Sequence, residues 1–349
     1  MKYFKTNILC VIAAFILFFG CDEESKNPTK QIDDPREWKE LNVPVKSFIT
    51  DLIVRSDNDE EILFSEYYDF SEGKGGGVYR TTDRGETWEA TLEHFCIADL
   101  AISPLDPALV YAVAPRSAIN TNLLFHSMDF GATWDTMFVP FYDFDSMPVK
   151  LSLHPIHQNE MYLGYSGFLG GDLAKSNDGG LTWLQVDLGD YNGTNITDIN
   201  FDDLSYVYVG TDWVGFLLKS RDDGQTWERI ESGQFLEVTR ILFAENHPSR
   251  IWVGTWMRGV WLSQDGGESW EQKDIGGDYE WIVTDIVEGL EGEIYFTAHA
   301  TGIEGRVYSM SVTDSSASVV GDWSEETLSC IEIGPDGKLY VGGISIAVY

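Results

Sequence analysis

The sequence has few cysteines and few basic residues. Four Cys occur among 349 residues, and Cys10 and Cys21 lie in or directly after the N-terminal apolar run. Cys96 and Cys330 remain, too few for a disulfide framework, so we expect two free buried thiols. Lys and Arg total 23 against 57 Asp and Glu, which gives a net charge of −34. A field of that sign repels nucleic acid and anionic membranes, so we predict no nucleic-acid partner.

Motifs of common catalytic and nucleotide-binding sites are also missing. The sequence contains no G-x-x-x-x-G-K-S/T, no H-E-x-x-H and no G-x-S-x-G. It therefore gives no signal for a P-loop, a zinc protease or an α/β-hydrolase. The six His are scattered. His154 and His157 flank a predicted strand turn, where packing is the commoner role than metal ligation. We predict no metal and no other cofactor.

An apolar run at residues 8–19 is too short to span a bilayer. Lys2 and Lys5 precede it, and a glycine and then Cys21 follow it. This order of charge, apolar run, small residue and Cys resembles a bacterial lipoprotein signal. The chain departs from that pattern at residues 18–19, where two Phe replace the usual Leu and small residue. An ordinary secretory peptide is the alternative.

The lipoprotein resemblance implies that residues 1–20 are removed as a signal peptide and that Cys21 carries acyl chains. Residues 21–37 are polar without an apolar period, which is typical of a flexible tether. We expect contact with the membrane only through the lipid anchor. The expected location is the cell envelope, at the outer membrane. The acidic run at 22–24 resembles a surface-export signal, which extends that expectation to the cell surface.

An eight-residue motif recurs five times. The copies are TTDRGETW (81–88), SMDFGATW (127–134), SNDGGLTW (176–183), SRDDGQTW (220–227) and SQDGGESW (263–270). Their terminal Trp residues are 43 to 49 residues apart. Between the copies, pairs of short apolar segments flank Pro, Asp, Asn or Gly turns, as in residues 196–210. Such segments predict strands buried on both faces.

Four strands for each 43 to 50 residues predict an all-β fold, the β-propeller. Trp38 and Trp323 extend the Trp series to seven positions. The chain ends before the seventh blade has an outer strand, and residues 38–44 can supply it. We therefore predict a seven-bladed propeller of four-stranded antiparallel blades over residues 38–349, closed by an N-terminal strand. We expect a monomeric domain.

The repeated motif S/T-x-D-x-G-x-T/S-W resembles the Asp-box, or BNR, repeat. In proteins with that repeat the boxes lie away from the active site, which implies a structural role for them. The residue types agree, because a carboxylate accepts backbone N–H bonds across a turn and Gly supplies a positive φ. Five equivalent carboxylates around a rim also do not converge on one substrate. We therefore predict structural roles for Asp83, Asp129, Asp178, Asp222 and Asp265.

The opposite end of a propeller carries the connections between second and third strands and those between blades; we call it the loop face. Its predicted segments are residues 67–70, 115–120, 140–145, 165–172, 189–195, 211–215, 233–237, 255–259, 277–281 and 298–306. Aromatic rings and carboxylates in these loops suit sugars, whose C–H faces stack on rings. Packing between blades is the alternative role for the Trp residues. The candidate ligand-binding residues are Tyr67, Tyr68, Tyr142, Tyr191, Trp213, Trp256, Arg258, Tyr279 and Trp281.

A second set of aligned residues falls near the start of each innermost strand, at the channel mouth. We expect the acids in it to bond inner-strand backbone; the alternatives are that the mixed charges satisfy one another or that they hold a cation or water. The set consists of Asp51, Asp99, Lys150, Asp198, Arg240, Asp285 and Cys330.

Catalysis would require a carboxylate pair on the loop face. The candidate carboxylates are Asp69, Asp143, Asp190, Asp278 and Glu280, and Asp145 and Asp212 complete the loop-face set. Sialidases are disfavoured, since the Arg-Ile-Pro motif is absent and Arg residues are few. Xyloglucan-cleaving glycosidases also contain Asp-box propellers, but two of them clasp the glucan. Photosystem assembly factors are single propellers that bind protein through a basic patch, which this acidic chain does not match.

Three functions follow from these observations. The first is a surface-anchored, non-catalytic propeller that binds a glycan or protein ligand on its loop face. The second is a glycoside hydrolase acting on extracellular polysaccharide through a carboxylate pair. The third is a scaffold of an envelope complex, for which a broad apolar patch is expected rather than a cleft.

Overall fold

The computed structural model describes residues 38–45, 47–69, 73–115, 122–139, 146–212, 216–230, 237–245, 247–277, 279–301, 303–323 and 327–349. Backbone alone is described at Asp69, Ile303 and Glu304. The predicted signal segment, the tether and Cys21 lie outside these residues. No helix within the described ranges has the length and apolar character needed to cross a membrane.

In the described ranges, twenty-eight strands form seven four-stranded antiparallel sheets, each one blade. Blade 1 contains β2 (Ile49–Val54), β3 (Ile62–Asp69), β4 (Lys74–Thr81) and β5 (Glu89–Glu93). Blade 2 contains β6 (Asp99–Ile102), β7 (Val110–Ala114), β8 (Leu123–Ser127) and β9 (Asp135–Phe138). Blade 3 contains β10 (Ser146–Leu153), β11 (Met161–Gly167), β12 (Leu173–Ser176) and β13 (Leu184–Val186). Blade 4 contains β14 (Ile196–Phe201), β15 (Val207–Thr211), β16 (Leu217–Ser220) and β17 (Glu228–Ile230).

Blade 5 contains β18 (Val238–Phe243), β19 (Ile251–Thr255), β20 (Gly259–Ser263) and β21 (Glu271–Gln272). Blade 6 contains β22 (Ile282–Glu288), β23 (Ile294–Ala300), β24 (Ile303–Met310) and β25 (Ser318–Asp322). Blade 7 contains β26 (Cys330–Ile333), β27 (Leu339–Gly342), β28 (Ile346–Val348) and β1 (Lys39–Leu41). A single 3₁₀ turn, Gly189–Tyr191, is the only helical element in the described part of the chain. The seven-bladed all-β prediction is confirmed.

The N-terminal strand completes the last blade, as predicted. β1 pairs antiparallel with β28, which places Lys39 opposite Val348. The Trp38 indole stacks on the Tyr349 ring at 4.8 Å between centroids and meets Trp323 edge-on at 4.7 Å. The first and last described strands therefore lie in one sheet, and β28 is paired on both sides.

Each blade packs its apolar residues against the next blade. The second strands of blades 2, 4, 5 and 7 are buried along their whole length, as in Val207–Thr211 and Ile251–Thr255. Large rings fill the gaps between sheets; Trp252 and Phe296 are fully buried in one such cluster. Cys96 and Cys330 are free and buried, as predicted.

The innermost strands are tied to one another by carboxylates. Asp198 Oδ2 accepts the backbone N–H of Ile241 in the next blade at 2.7 Å, and Asp285 Oδ2 accepts that of Ile331 at 3.0 Å. A β-bulge directly precedes Asp198 and Asp285 in their strands, which re-aims the side chain toward the neighbouring blade. Asp51 and Asp99 make the same bond to the blades that follow them.

Two cations complete the channel ring. Lys150 Nζ lies 2.8 Å from Asp99 Oδ1, and Arg240 Nε lies 2.7 Å from Asp285 Oδ1. The acids therefore bond the backbone, as expected, and Asp99 and Asp285 also pair with these two cations.

The repeated eight-residue motifs form turns between third and fourth strands. In SRDDGQTW, Ser220 Oγ contacts Asp222 Oδ1 at 2.9 Å and accepts the Gly224 backbone N–H at 2.8 Å. Asp222 also accepts the Thr226 backbone N–H at 2.8 Å and its hydroxyl at 2.5 Å. The Trp227 indole N–H donates back to the Gly224 carbonyl at 3.2 Å. The same two bonds from the last Thr or Ser reach Asp83, Asp129, Asp178 and Asp265.

These turn carboxylates accept hydrogen bonds from residues of their own turns. Hydrogen bonds from Thr226 lower the pKa of Asp222, and those from Ser269 lower the pKa of Asp265 to about 2. An anion held this tightly is a poor proton carrier at neutral pH. Strand order also places the turns at the opposite end of the propeller from the loop face.

Candidate functional site

Three loop segments meet on the loop face between blades 3 and 5. Asn195 precedes the innermost strand of blade 4, Asp212 follows its second strand, and Glu237 precedes the innermost strand of blade 5. The connections at this end come from neighbouring strands and blades, so residues far apart in sequence are brought together. Asp212 and Glu237 are close enough for the charge of one to affect the other.

Asp212 is held by an amide. Asn195 Nδ2 donates to Asp212 Oδ2 at 2.8 Å, and the Asp212 backbone N–H donates to the Asn195 carbonyl at 3.3 Å. Burial raises the pKa of Asp212, while the bond from Asn195 acts in the opposite direction. The amide therefore favours the charged form of a carboxylate whose surroundings disfavour it.

Glu237 is the partner of that carboxylate. Burial, and then the charge of Asp212, raise the pKa of Glu237 to about 7. Its backbone carbonyl accepts the Trp256 N–H at 2.9 Å, which joins it to the turn between β19 and β20. A carboxyl group with this pKa is protonated in a substantial fraction at neutral pH and can donate a proton.

This combination suits acid–base chemistry. Burial raises the pKa of both carboxyl groups, and only Asp212 accepts a hydrogen bond from Asn195 that opposes this shift. Neighbouring carboxyl groups with raised pKa values are candidates for acid and base roles in hydrolytic sites. Asp212 belonged to the predicted loop-face set, whereas Glu237 and Asn195 were not among the predicted site residues. The only sequence signal for them was their position within predicted loop-face segments.

A pocket of about 300 Å³ lies further along the same face, in blade 5. Met257 at its lip has a left-handed backbone with φ of 67°, an uncommon conformation for a residue with a side chain. The Tyr279 ring is 52% exposed, and its edge meets the Trp281 ring at 5.7 Å. The lining residues are Met257, Arg258, Gly259, Gln272, Lys273, Asp274, Ile275, Gly277, Tyr279 and Trp281.

Trp281 differs from its predicted use as an exposed platform. It is only 6% exposed, its indole N–H donates to the Gly276 carbonyl at 2.9 Å, and its ring packs edge-on against Tyr308. Trp281 therefore forms the floor of the pocket. Arg258 is exposed and Trp256 is half-buried.

The remaining predicted residues are not brought together at one place. Tyr67 and Tyr68 are half-buried in β3, and Asp69 ends that strand. Tyr191 is half-buried against Phe216, with ring centroids 5.2 Å apart. The Asp190 and Glu280 side chains are exposed. Tyr142, Asp143, Asp145, Trp213 and Asp278 lie outside the described residues.

A His pair on the opposite face has the composition of a metal site. His154, His157 and Glu160 place ligand atoms within 4.8 Å of one another. However, His154 Nδ1 accepts the backbone N–H groups of Ile156 and His157 at 3.2 Å, so its Nε2 carries the proton. The Lys175 ammonium also lies 3.6 Å from Glu160. This arrangement favours the packing role predicted for the pair.

Comparison with known proteins gives relatives for part of the chain. None of the known protein-family models matches it. It is 27% identical over 229 residues to xyloglucanase Xgh74A of Acetivibrio thermocellus, covering 61% of this chain and 26% of that protein. It is 24% identical over 254 residues to a xyloglucanase of Paenibacillus sp., covering 68% of this chain and 22% of that protein. The chain thus matches about a quarter of the length of these curated relatives.

Solved structures share the fold. A GH74 xyloglucanase from Xanthomonas campestris superposes with a TM-score of 0.70 at 15% identity, over 90% of this chain and 53% of that one. YCF48 from Cyanidioschyzon merolae gives a TM-score of 0.67 at 13% identity, over 89% and 98%. Streptogramin B lyase gives 0.68 at 14% identity, over 89% and 96%. At these identities the likeness establishes the propeller, while the sequence relatives are named as xyloglucanases.

Proposed function

We propose that this chain is a glycoside hydrolase acting on an extracellular polysaccharide, with Asp212 and Glu237 as its carboxyl pair. The observation that carries the proposal is the raised pKa of Glu237, about 7, beside a second carboxylate on the loop face. The curated relatives, named as xyloglucanases, support this function over a non-catalytic binding module. A β-linked glucan is accordingly the substrate class that we propose.

In the proposed reaction, Glu237 transfers its proton to the glycosidic oxygen as the bond from the anomeric carbon to that oxygen breaks. Asn195 donates a hydrogen bond to Asp212 and so opposes the effect of burial on its charged form; as a carboxylate, Asp212 stabilises or attacks the electron-deficient carbon. Water supplies the hydroxyl of the new reducing end, and its proton returns to the carboxyl pair. The blade 5 pocket, with the Tyr279 ring at its rim, provides a binding position for another sugar residue of the same polysaccharide molecule.

The test is release of reducing ends from xyloglucan by the full chain. Glu237→Gln and Asp212→Asn should each reduce the rate by about 100-fold or more, because each removes one half of the acid–base pair. Glu291→Gln is the control, since it removes an exposed carboxylate in the turn between β22 and β23, at the opposite end from the loop face, and should leave the rate unchanged. Equal activity of all three variants, or no hydrolysis of any β-glucan by the unsubstituted chain, contradicts the proposal. In the second case, saturable binding of the glucan would favour the binding module.

We also propose that the propeller is held at the cell envelope by acyl chains on Cys21. The support is the sequence pattern of charge, apolar run and Cys at the N-terminus. We further propose that the repeated turns belong to the Asp-box family. The support is the sequence motif and the hydrogen bonds that its five copies share.

A further inference from the structure

The connection between β11 and β12 presents two large apolar side chains to solvent. Phe168 is 75% exposed and Leu169 is 77% exposed, and both lie on the loop face of blade 3. Exposing apolar surface of this size costs free energy that folding does not recover. Neighbouring exposed apolar residues on a ligand-binding face point to something that covers them.

The turn that carries Phe168 is fixed by close backbone contacts. A Cβ atom on Gly170 would lie 2.1 Å from the Gly193 carbonyl oxygen, and one on Gly171 would lie 2.0 Å from that of Tyr165. The turn is also closed by the Gly170 N–H donating to the Gly167 carbonyl at 3.3 Å. Only glycine allows the chain to approach this closely, so the tip is built into the neighbouring segment.

That same turn is bonded to the carboxyl pair. The Gly167 backbone N–H donates to Asn195 Oδ1 at 2.9 Å, and Asn195 Nδ2 donates to Asp212 at 2.8 Å. One amide side chain therefore connects the turn carrying Phe168 with a reacting carboxylate. The turn carrying Phe168 is thereby fixed relative to Asp212.

We propose that Phe168 is a stacking platform that holds a β-linked glucose-type residue of the substrate beside the bond that is cleaved, with Leu169 widening the apolar surface. This names a binding position for the site proposed above and rests on that proposed function. Pyranose rings of this class carry their hydroxyls around the ring edge and present C–H groups on both faces. An aromatic face covers those C–H groups without burying a polar group, and Phe168 has no polar atom of its own.

The structure also says why Phe168 positions substrate rather than reacts with it. Its side chain has no group able to transfer a proton or attack carbon. Loss of the ring should therefore raise KM and the dissociation constant while leaving kcat nearly unchanged. A purely structural role would alter stability without this division.

The experiment measures binding of cellohexaose to the full chain carrying Glu237→Gln, by calorimetry, so that the probe is not consumed. Phe168→Ala should weaken binding by about tenfold, the loss expected for one stacked ring. Phe168→Trp should retain or strengthen binding, since it keeps a larger aromatic face. Phe168→Leu should be as weak as alanine or nearly so, because it keeps apolar area but loses the flat face.

The matched control is Phe138→Ala. Phe138 is 72% exposed, as Phe168 is, but it lies in β9, the outer strand of blade 2. Its removal should leave the dissociation constant unchanged. Equal effects of the two Ala variants, full binding by Phe168→Leu, or no saturable binding of cellohexaose by the parent chain would each overturn the platform.

The experiments can contradict the platform proposal and the hydrolase proposal independently of each other. If xyloglucan is never hydrolysed but Phe168→Ala weakens cellohexaose binding, the platform stands as part of a binding site and the hydrolase is wrong. If hydrolysis depends on Asp212 and Glu237 but Phe168→Ala leaves KM unchanged, the hydrolase stands and the platform is wrong.

Discussion

Asn195 holds Asp212 through a hydrogen bond of 2.8 Å from its side-chain amide, and its own amide oxygen accepts the Gly167 N–H at 2.9 Å. One side chain thus orients a carboxylate and ties two loops together. Gly167 is the last residue of β11, whereas Asn195 and Asp212 lie outside the strands, so the amide joins two loop positions to a strand end.

Substituting Asn195 by Ala should change the pH dependence of hydrolysis. Loss of the donated bond removes a contribution that favours the charged form of Asp212, so the pKa of Asp212 should rise. The acidic limb of the rate profile should then move to higher pH, and the maximal rate should fall about 10- to 100-fold as the carboxylate loses its orientation. Carbon NMR of the carboxyl groups reports the pKa change independently of activity.

Asn192→Ala is the control for this variant. Asn192 lies in the same loop and bonds to Asp187 and the Leu188 N–H, without a contact to Asp212. An unchanged profile for both variants would contradict the assigned role of Asn195.

Ser220→Ala should destabilise blade 4 without affecting sugar binding. Ser220 is fully buried, and its hydroxyl accepts the Gly224 N–H while contacting Asp222. Removing it leaves a backbone N–H without a partner, at a cost of about 1–3 kcal/mol in the free energy of unfolding. Denaturant titration measures that loss. Arg221→Ala, at an exposed neighbouring position, should cost much less, and a loss of sugar binding at full stability would contradict the structural role of the turn.

Stability should be greatest at mildly acidic pH. Asp83 and Asp265 have pKa values lowered to about 2 by hydrogen bonds within their turns, so their contribution is complete above about pH 4 and is lost as the pH falls toward 2. Burial raises the pKa of Asp51 and Glu237 to about 7 and that of Glu332 to about 8. Their contribution is complete near pH 4 and is lost as the pH rises through 7 to 8.

Thermal unfolding between pH 3 and 9 tests this expectation. The melting temperature should be highest near pH 4 to 5 and should decline on both sides. Glu332→Gln should flatten the decline between pH 5 and 8, because the substituted amide does not titrate. A melting temperature that rises steadily from pH 5 to 8 in the unsubstituted chain would show that these buried carboxyl groups do not carry the proposed pKa shifts.

Cys21→Ala should release the propeller from the membrane fraction. The acyl chains proposed on Cys21 supply the only membrane attachment that the sequence indicates, and substitution removes the thiol that carries them. Fractionation of cells, followed by detection of the full chain, measures the change. Retention of the variant with the membranes would refute the lipoprotein proposal, and Cys10→Ala serves as the control because that residue lies within the predicted signal.

The fold was predictable because its information is local and repeated. Each turn motif specifies its own hydrogen bonds within eight residues, and the Trp spacing counts the blades. Trp38 and Trp323, which lie outside the five motif copies, also follow this series, and the structure places the two rings together at the seam. Strand pairing across the seam follows from the four-strand pattern, because the seventh blade has only three strands from the C-terminal segment.

The site was less predictable because its chemistry depends on distant neighbours. Glu237 is one of 57 acids in the sequence, and its raised pKa comes from burial and from Asp212, contributed by another loop. Trp281 is the opposite case, because the sequence selects it as a ligand-binding residue and the structure buries its ring. The sequence places it in a loop-face segment, but only the packing of Tyr308 and Gly276 around it decides that its ring is covered.

Blade 7 can be completed only after β26, β27 and β28 have been synthesised, because β1 belongs to the same sheet. Trp38 bonds through its indole N–H to the Val320 carbonyl, 282 residues later in the chain, and β1 waits for β28. A nascent chain with six finished blades therefore still carries β1 without its partner strand. Closing so long a loop costs little more entropy than closing a shorter one, because the cost grows only with the logarithm of length. Before closure, β1 is open to pairing with another chain.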